Sequence, residues 1–335
     1  MKNKTYTDIS VVVQGPVQSL GSRGQEQGIT NKCLNSVRNY LPGAKIILST
    51  WHNQNLDGLD YDELVLCEDP GQNIRKYNKD GSPKYYNNNR QIVSTLEGLK
   101  RVKTKYAIKL RSDNYLTSDN FISLQTQFPA RSNKYRFLKE RVVTANAFTR
   151  KYAKGQKVAF HLSDFFYFGL TDDLLTLWDL PLVKDYKKKS EHDLSPSHPN
   201  YITDCTQLFW LRSLQKFEPS ITLEHLLDNN KEKTKQSDIC YANNVIISSP
   251  EEIGLNLGEK FSNGKVRISR ERGKCAHIYF HEWQDLYKKY CDPTFNIEPA
   301  YILRFKLFIN RLKYIFPVYF EAKIRQLKRK KYNVP

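Results

Sequence analysis

Long apolar runs are missing from this 335-residue chain. No stretch of 18 apolar residues occurs, so the sequence offers no helix able to span a bilayer. Cysteine is sparse and scattered. Cys33, Cys67, Cys205, Cys240, Cys275 and Cys291 form no C-x-x-C pair, which argues against a disulfide framework and predicts free thiols in a reducing compartment. There is no internal repeat and no low-complexity tract. The polar segment Met1–Ser10 runs directly into Val11-Val12-Val13 without the apolar core of a secretory leader. Together these absences predict a cytoplasmic protein. Acids are also in short supply, 35 Asp and Glu against 53 Lys and Arg, for a net charge of +18.

That excess is unevenly spread. From Leu303 to Pro335 there are ten Lys and Arg against one acid, Glu321, which is half of the net charge in the last tenth of the chain. Such a region attracts phosphate, whether of nucleic acid, anionic lipid or a phosphate-bearing substrate. Nucleic acid is not expected, because no zinc-ligand cluster, RNP-like string or helix-turn-helix signature accompanies the charge. With 39% hydrophobic residues the chain can bury a substantial core.

The first 110 residues alternate in period. Ile9–Gln14 is β-branched and apolar and stops at Gly15-Pro16, which predicts a buried strand. Thr30 is placed to cap a helix with face Leu34, Val37 and Leu41, closed by Pro42-Gly43. Ala44–Thr50 and Glu63–Cys67 read as strands, Asn87–Val102 as a helix and Tyr106–Leu110 as a strand. This rhythm predicts an α/β fold with a mostly parallel central sheet flanked by helices. Further strands are expected over Tyr135–Thr144, Val158–Gly169 and Ala276–Phe280. Helices are expected from Thr171 and from a Thr203 cap, and a surface loop over Leu182–Asn200. A convenient division is 1–133 for a nucleotide-binding half, 134–297 for an acceptor-side half of the same domain, and 298–335 for a tail.

Ligands of open α/β sheets bind beyond the carboxyl ends of the strands. Those ends carry Gln14-Gly15-Pro16, Thr50-Trp51, Asp69-Pro70-Gly71 and Arg111-Ser112-Asp113-Asn114. The set is polar, glycine-bearing and acidic, as a nucleotide and a hard cation require, and Asp113 is the candidate cation ligand. A capped turn is the bland alternative for any one of these segments. Asn89 and Arg90 sit at the start of a predicted helix, where phosphate is favoured. The competing reading there is a plain asparagine cap beside a solvated arginine. Asp164, beside His161, and Asp204, after Thr203, are candidate general-base carboxylates. Either can equally be a capping acid. His277 and His281, four apart, share a face and resemble half a metal site.

Six strings in order, V-V-V-Q-G-P-V, L-P-G-A-K-I-I-L-S-T-W, L-C-E-D-P-G, N-N-N-R-Q-I-V-S-T-L-E-G-L-K, Y-A-I-K-L-R-S-D-N-Y-L-T and S-D-F-F-Y-F-G-L, resemble the WavE-type lipopolysaccharide-synthesis proteins. The likeness covers roughly Val11 to Pro181. It implies a GT-A-like, Rossmann-like fold. It also implies a glycosyltransferase moving a sugar from a nucleotide-sugar donor to a lipopolysaccharide, capsule or other surface-glycan acceptor. Arg111-Ser112-Asp113 then occupies the place of the D-x-D metal motif, with arginine where the first acid would stand. Either one carboxylate suffices for a divalent cation, Mn or Mg, or Arg111 itself neutralises the donor phosphates. The resemblance also implies a late histidine, His277 or His281, that could join Asp113 on the metal. The altered motif leaves room for a catalytically inactive scaffold.

The tail carries Ile302, Phe305, Leu307, Phe308, Ile309, Leu312, Ile315 and Phe316 among Arg304, Lys306, Arg311 and Lys313, with Pro317 as a break. This predicts a basic amphipathic helix lying on an anionic membrane surface, at the inner face of the cell membrane where a lipid-linked acceptor resides. A helix packed on the body with a loose basic end is the alternative.

Overall fold

A computed structural model describes residues 4–18, 25–78, 80–187, 202–262 and 270–331. The first half runs β1 (Ile9–Gln14), α1 (Ile29–Tyr40), β2 (Lys45–Trp51), β3 (Glu63–Cys67), the hairpin β4 (Asn73–Tyr77) and β5 (Pro83–Tyr86), α2 (Asn88–Leu99) and β6 (Tyr106–Arg111). Next come β7 (Tyr115–Leu116), α3 (Asn120–Thr126), β8 (Val142–Ala145), β9 (Tyr152–Ala153), β10 (Gln156–Lys157), β11 (Phe166–Leu170), α4 (Thr171–Trp178) and α5 (Cys205–Gln215). The chain continues through α6 (Lys231–Asn244), β12 (Val245–Ser248), α7 (Pro250–Ile253), β13 (Leu255–Asn256) and α8 (Glu259–Ser262). It closes with α9 (Glu271–Lys274), α10 (Phe280–Tyr290), α11 (Tyr301–Tyr314) and α12 (Phe316–Lys331).

Seven strands form the central sheet in the order β12-β8-β11-β6-β1-β2-β3. Strands β6, β1, β2 and β3 are mutually parallel. Strand β11 enters antiparallel between β6 and β8, and β12 pairs parallel with β8. The expected mostly parallel sheet flanked by helices is therefore what the chain forms. All six residues of β1 are buried, as a strand covered on both faces requires, and this explains why Val11, Val12 and Val13 follow one another without alternation. Helix α2 lies tight against that strand: a Cβ on Gly98 would come 2.3 Å from Val12 Cγ1. Strands from both sides of residue 133 share the sheet and one core. Phe121 packs edge-on against Phe166 and Phe168 at 5.2 and 5.0 Å.

Several local expectations change. Thr30 is not the cap of α1; Gly28 is, and Thr30 Oγ1 instead accepts a 2.9 Å bond from the Gln18 amide. The strand expected over Tyr135–Thr144 shrinks to β8. Tyr135 has φ 54°, and the Asn244 amide bonds the backbone of Tyr135, Phe137 and Leu138, so local side-chain bonding replaces a ladder. The strand expected from Val158 begins only at Phe166, after a positive φ at Phe160. Ala276–Phe280 is no strand. A lone bridge joins His277 to Arg150, and α10 starts at Phe280 behind a Tyr279–Glu282 cap. Most of the loop expected over Leu182–Asn200 falls outside the described residues.

Candidate functional site

Strand β1 leads outward in one direction to β2 and β3, and in the other to β6. The crevice between the carboxyl ends of β1 and β6 is thus a topological switch point, where open α/β sheets hold their ligands. A cavity of about 710 Å³ opens there, large enough for a nucleotide-sized molecule. Its floor comes from Gln14, Gly15 and Pro16 at the end of β1 and from Arg111, Ser112 and Asp113 at the end of β6. One wall is Trp51 and His52 at the end of β2, with Glu68 and Asp69 after β3. The first turns of α2 supply Asn87, Arg90, Gln91 and Ser94, and Lys260 reaches in from α8.

Glycine at position 15 lets the two strand ends meet. Its φ is +120°, and a Cβ would lie 2.9 Å from Ser112 Oγ. The Ser112 amide donates to Gln14 O at 2.9 Å, and Ser112 Oγ donates to Pro16 O at 2.8 Å. Ser94 Oγ sits 2.8 Å from Gln14 Oε1, which fixes that amide and leaves its nitrogen as a donor toward the cavity.

Two arginine–aspartate pairs set the electrostatics. Arg111 donates from Nε and Nη2 to the two oxygens of Asp113 at 2.8 and 2.7 Å, and Gln25 Nε2 donates to the same carboxylate at 3.0 Å. Burial works to neutralise Asp113, but the Arg111 charge and hydrogen bonds outweigh it, with Lys260 and Gln25 assisting, and hold the carboxyl below its ordinary range. The Arg111 guanidinium also stands 4.5 Å from the Phe165 ring centroid, a cation–π contact that fixes its plane. At the rim, Arg90 donates from Nε and Nη2 to Asp69 at 2.8 and 2.5 Å and from Nη1 to Asn87 at 3.0 Å. The Asn87 side chain does not cap α2 and its first turn holds no acid, so the partial positive charge of a helix N-terminus lies beside the cavity that Asn87, Arg90, Gln91 and Ser94 line. Glu68, the third acid of the lining, pairs with His52 at 3.3 Å.

Gln14, Gly15, Pro16, Asp69, Arg90, Arg111 and Asp113, all singled out in the sequence, therefore converge on one cavity. Other expectations do not hold. Asn89 is a brace outside the cavity: its side chain accepts from Val183 N at 2.7 Å and donates to Val183 O at 3.1 Å. Thr50 is buried below the strand end and does not line the cavity.

Neither candidate proton acceptor opens into it. Asp204 caps α5, accepting from the Cys205 amide at 2.8 Å, and is paired with Arg150 at 2.9 Å. Burial opposes its ionisation, yet His161 and Arg150 drive its carboxyl far below the usual range, which makes it a very weak base. Asp164 is buried beside the wall. Its backbone oxygen accepts from the buried Lys109 ammonium and, at 3.2 Å, from Gln91.

The expected metal set does not assemble either. His277 lines a separate small cavity with Phe148 and Arg150 and accepts from the Phe148 amide at 3.3 Å. Burial, aided by the Arg150 charge, depresses its pKa to about 3. The His281 ring stacks on Tyr279 at 5.9 Å. Among the described residues no three His, Cys, Asp or Glu side chains converge where a metal ion could be held. Asp113 is already spent on Arg111 and Gln25, so the donor set does not fit the expected Mn or Mg centre.

Sequence reasoning missed Ser94 and Lys260. Ser94 follows Arg90 by one helical turn, a spacing that would have found it. Lys260 carries no local signal, being brought in by the fold.

The family model for WavE lipopolysaccharide synthesis matches residues 9–316, nearly the whole chain and well beyond the segment in which the resemblance was visible. Among curated proteins no match was found. Among solved structures, the chain is similar to 4-diphosphocytidyl-2C-methyl-D-erythritol synthase from Anaerococcus prevotii DSM 20548. The identity is 14% over 56% of this chain and 80% of that one, with a TM-score of 0.28. So poor a superposition carries no inference.

Proposed function

The chain belongs to the WavE lipopolysaccharide synthesis family, and from that premise we propose that it is a glycosyltransferase. It takes a sugar from a nucleotide-sugar donor and passes it to a lipopolysaccharide, capsule or related surface-glycan acceptor at the inner face of the cell membrane. The observation that carries this reading is the switch-point cavity, whose floor combines the Gln14 side-chain amide with the Arg111–Asp113 pair.

In glycosyl transfer, negative charge builds on the departing nucleoside diphosphate, and catalysis needs fixed positive groups aimed at it. Arg111 suits this role. Asp113 and Phe165 lock its orientation while Nη1 keeps its N–H groups for a ligand. Lys260 and the start of α2 add to the same field from the other walls, while Arg90 stands at the rim paired with Asp69. Gly15 allows the backbone to approach the phosphates closely, and the Gln14 amide supplies a neutral donor. In this reading Arg111 substitutes for the cation that a D-x-D acid would hold.

Thermal unfolding with a panel of nucleoside diphosphates and nucleotide sugars tests the proposal, since a ligand that binds only the native state raises the midpoint. One nucleoside diphosphate is expected to shift it without added metal. A flat response across the panel, with and without Mn²⁺, would overturn the donor site.

A further inference from the structure

Helices α11 and α12 form an arm that is clamped to the body on one side and bare on the other. The clamp is specific. Arg311, buried, donates to both oxygens of Glu282 at 2.6 and 2.8 Å, and to the backbone oxygens of Cys275 at 3.0 Å and His277 at 2.9 Å. Lys151 adds a 2.6 Å bond to Glu282, and Arg304 is paired with Asp285. Ile315 plugs into Cys275 and Ala276, and at the start of α12 the Tyr319 backbone lies so close to Gly155 that a Cβ there would meet it at 2.4 Å. The orientation of the arm relative to the sheet is thereby fixed.

The opposite side is apolar and open. Along α11, Ile302, Phe305, Ile309 and Leu312 recur at spacings of three and four, with Ile302 86% and Phe305 66% exposed. The row continues along α12 as Phe316, Phe320, Ile324 and Leu327, with Phe320 61% and Leu327 67% exposed. Residues at these spacings share one helix face. Lys306 and Lys313, both exposed, fall on the edge of that row, and Lys323 is exposed on α12. Two of the tail's ten basic residues, Arg304 and Arg311, are used in the clamp; the sequence of the tail holds eight more and a single acid. No described helix is long and apolar enough to cross a membrane.

We propose that the arm seats this apolar row in the headgroup–acyl boundary of an anionic lipid bilayer, with its lysines against lipid phosphate. Charge complementarity selects this occupant. A second copy packed on the same row would bring two strongly basic segments together, whereas an anionic leaflet neutralises them. Because Arg311 and Ile315 hold the arm rigidly, docking also fixes how the catalytic body stands over the membrane. The proposal deepens the membrane location proposed above, yet rests on the arm alone and not on the donor chemistry.

Co-sedimentation of the full chain with vesicles tests it, comparing pure phosphatidylcholine with phosphatidylcholine containing about one quarter phosphatidylglycerol. The expected result is binding to the anionic vesicles only, weakened by salt, and reduced at least about tenfold in the triple variant Phe305→Ser, Ile309→Ser, Phe320→Ser. None of these three residues lines the switch-point cavity. Unchanged thermal unfolding and nucleotide-dependent shift in the variant separate a failed arm from a failed fold or a failed donor site. No binding to anionic vesicles, or equal binding to both kinds, overturns the proposal. So does a concentration-dependent dimer in sedimentation velocity that the triple variant dissolves.

Discussion

The Arg111–Asp113 pair allows function to be separated from stability. Its side chains are 23% and 6% exposed and joined by two hydrogen bonds. In Asp113→Ala the Arg111 guanidinium remains in place with its charge uncompensated, a loss that costs about 3–5 kcal/mol for buried pairs. Against a typical total stability of about 5–15 kcal/mol, that would obscure any loss of activity by partial unfolding. Replacing both residues, Arg111→Met with Asp113→Leu, removes both charges and keeps an apolar side chain against Phe165 and Phe261. The Gln25 amide then loses a partner, at about 1–3 kcal/mol. Urea unfolding is therefore expected to place the double variant between wild type and Asp113→Ala, and calorimetry is expected to show nucleoside diphosphate binding lost in the double variant, which lacks the guanidinium. A stable double variant that still binds nucleoside diphosphate as wild type does would refute the reasoning, because the pair would then be structural only.

Two further outcomes follow from the same geometry. Gly15→Ala places a Cβ against Ser112 Oγ at a φ that side chains disfavour. It should weaken nucleotide binding measurably and cost about 1–3 kcal/mol in urea unfolding; unaltered binding would remove Gly15 from the site. His277 is buried and neutral near Arg150 and Arg311, and its pKa falls from 6.5 unfolded to about 3 folded. The unfolded state binds the extra proton between those values, so stability should decline as pH drops below about 6.5, with a slope approaching 1.4 kcal/mol per pH unit from this group. His277→Gln should flatten the profile of denaturation midpoints between pH 6.5 and 5; an identical profile would place the acid sensitivity elsewhere.

The sequence by itself determined the pieces whose signals are local. The Ile/Val run of β1, the apolar face of α1 and the strand of Tyr106–Arg111 follow from periodicity. The polar strand ends follow from where those runs stop, so seven of the cavity residues could be named without coordinates. The basic, apolar tail was legible for the same reason. Tertiary structure decided which partner each charge takes. Asp204 is drawn to a helix end and Arg150, Asp113 to Arg111, and Asn89 to the Val183 backbone, because a carboxylate or amide goes to the nearest donors in space. Within the tail, packing turned Leu307, Arg311 and Ile315 inward and left Phe305, Phe320 and Leu327 outside, a choice that helical spacing alone leaves open. Lys260 enters the cavity from far along the chain, and β11 inserts antiparallel beside β6. Both depend on the order of strands in the sheet, which is set by long-range burial rather than by any local run of residues.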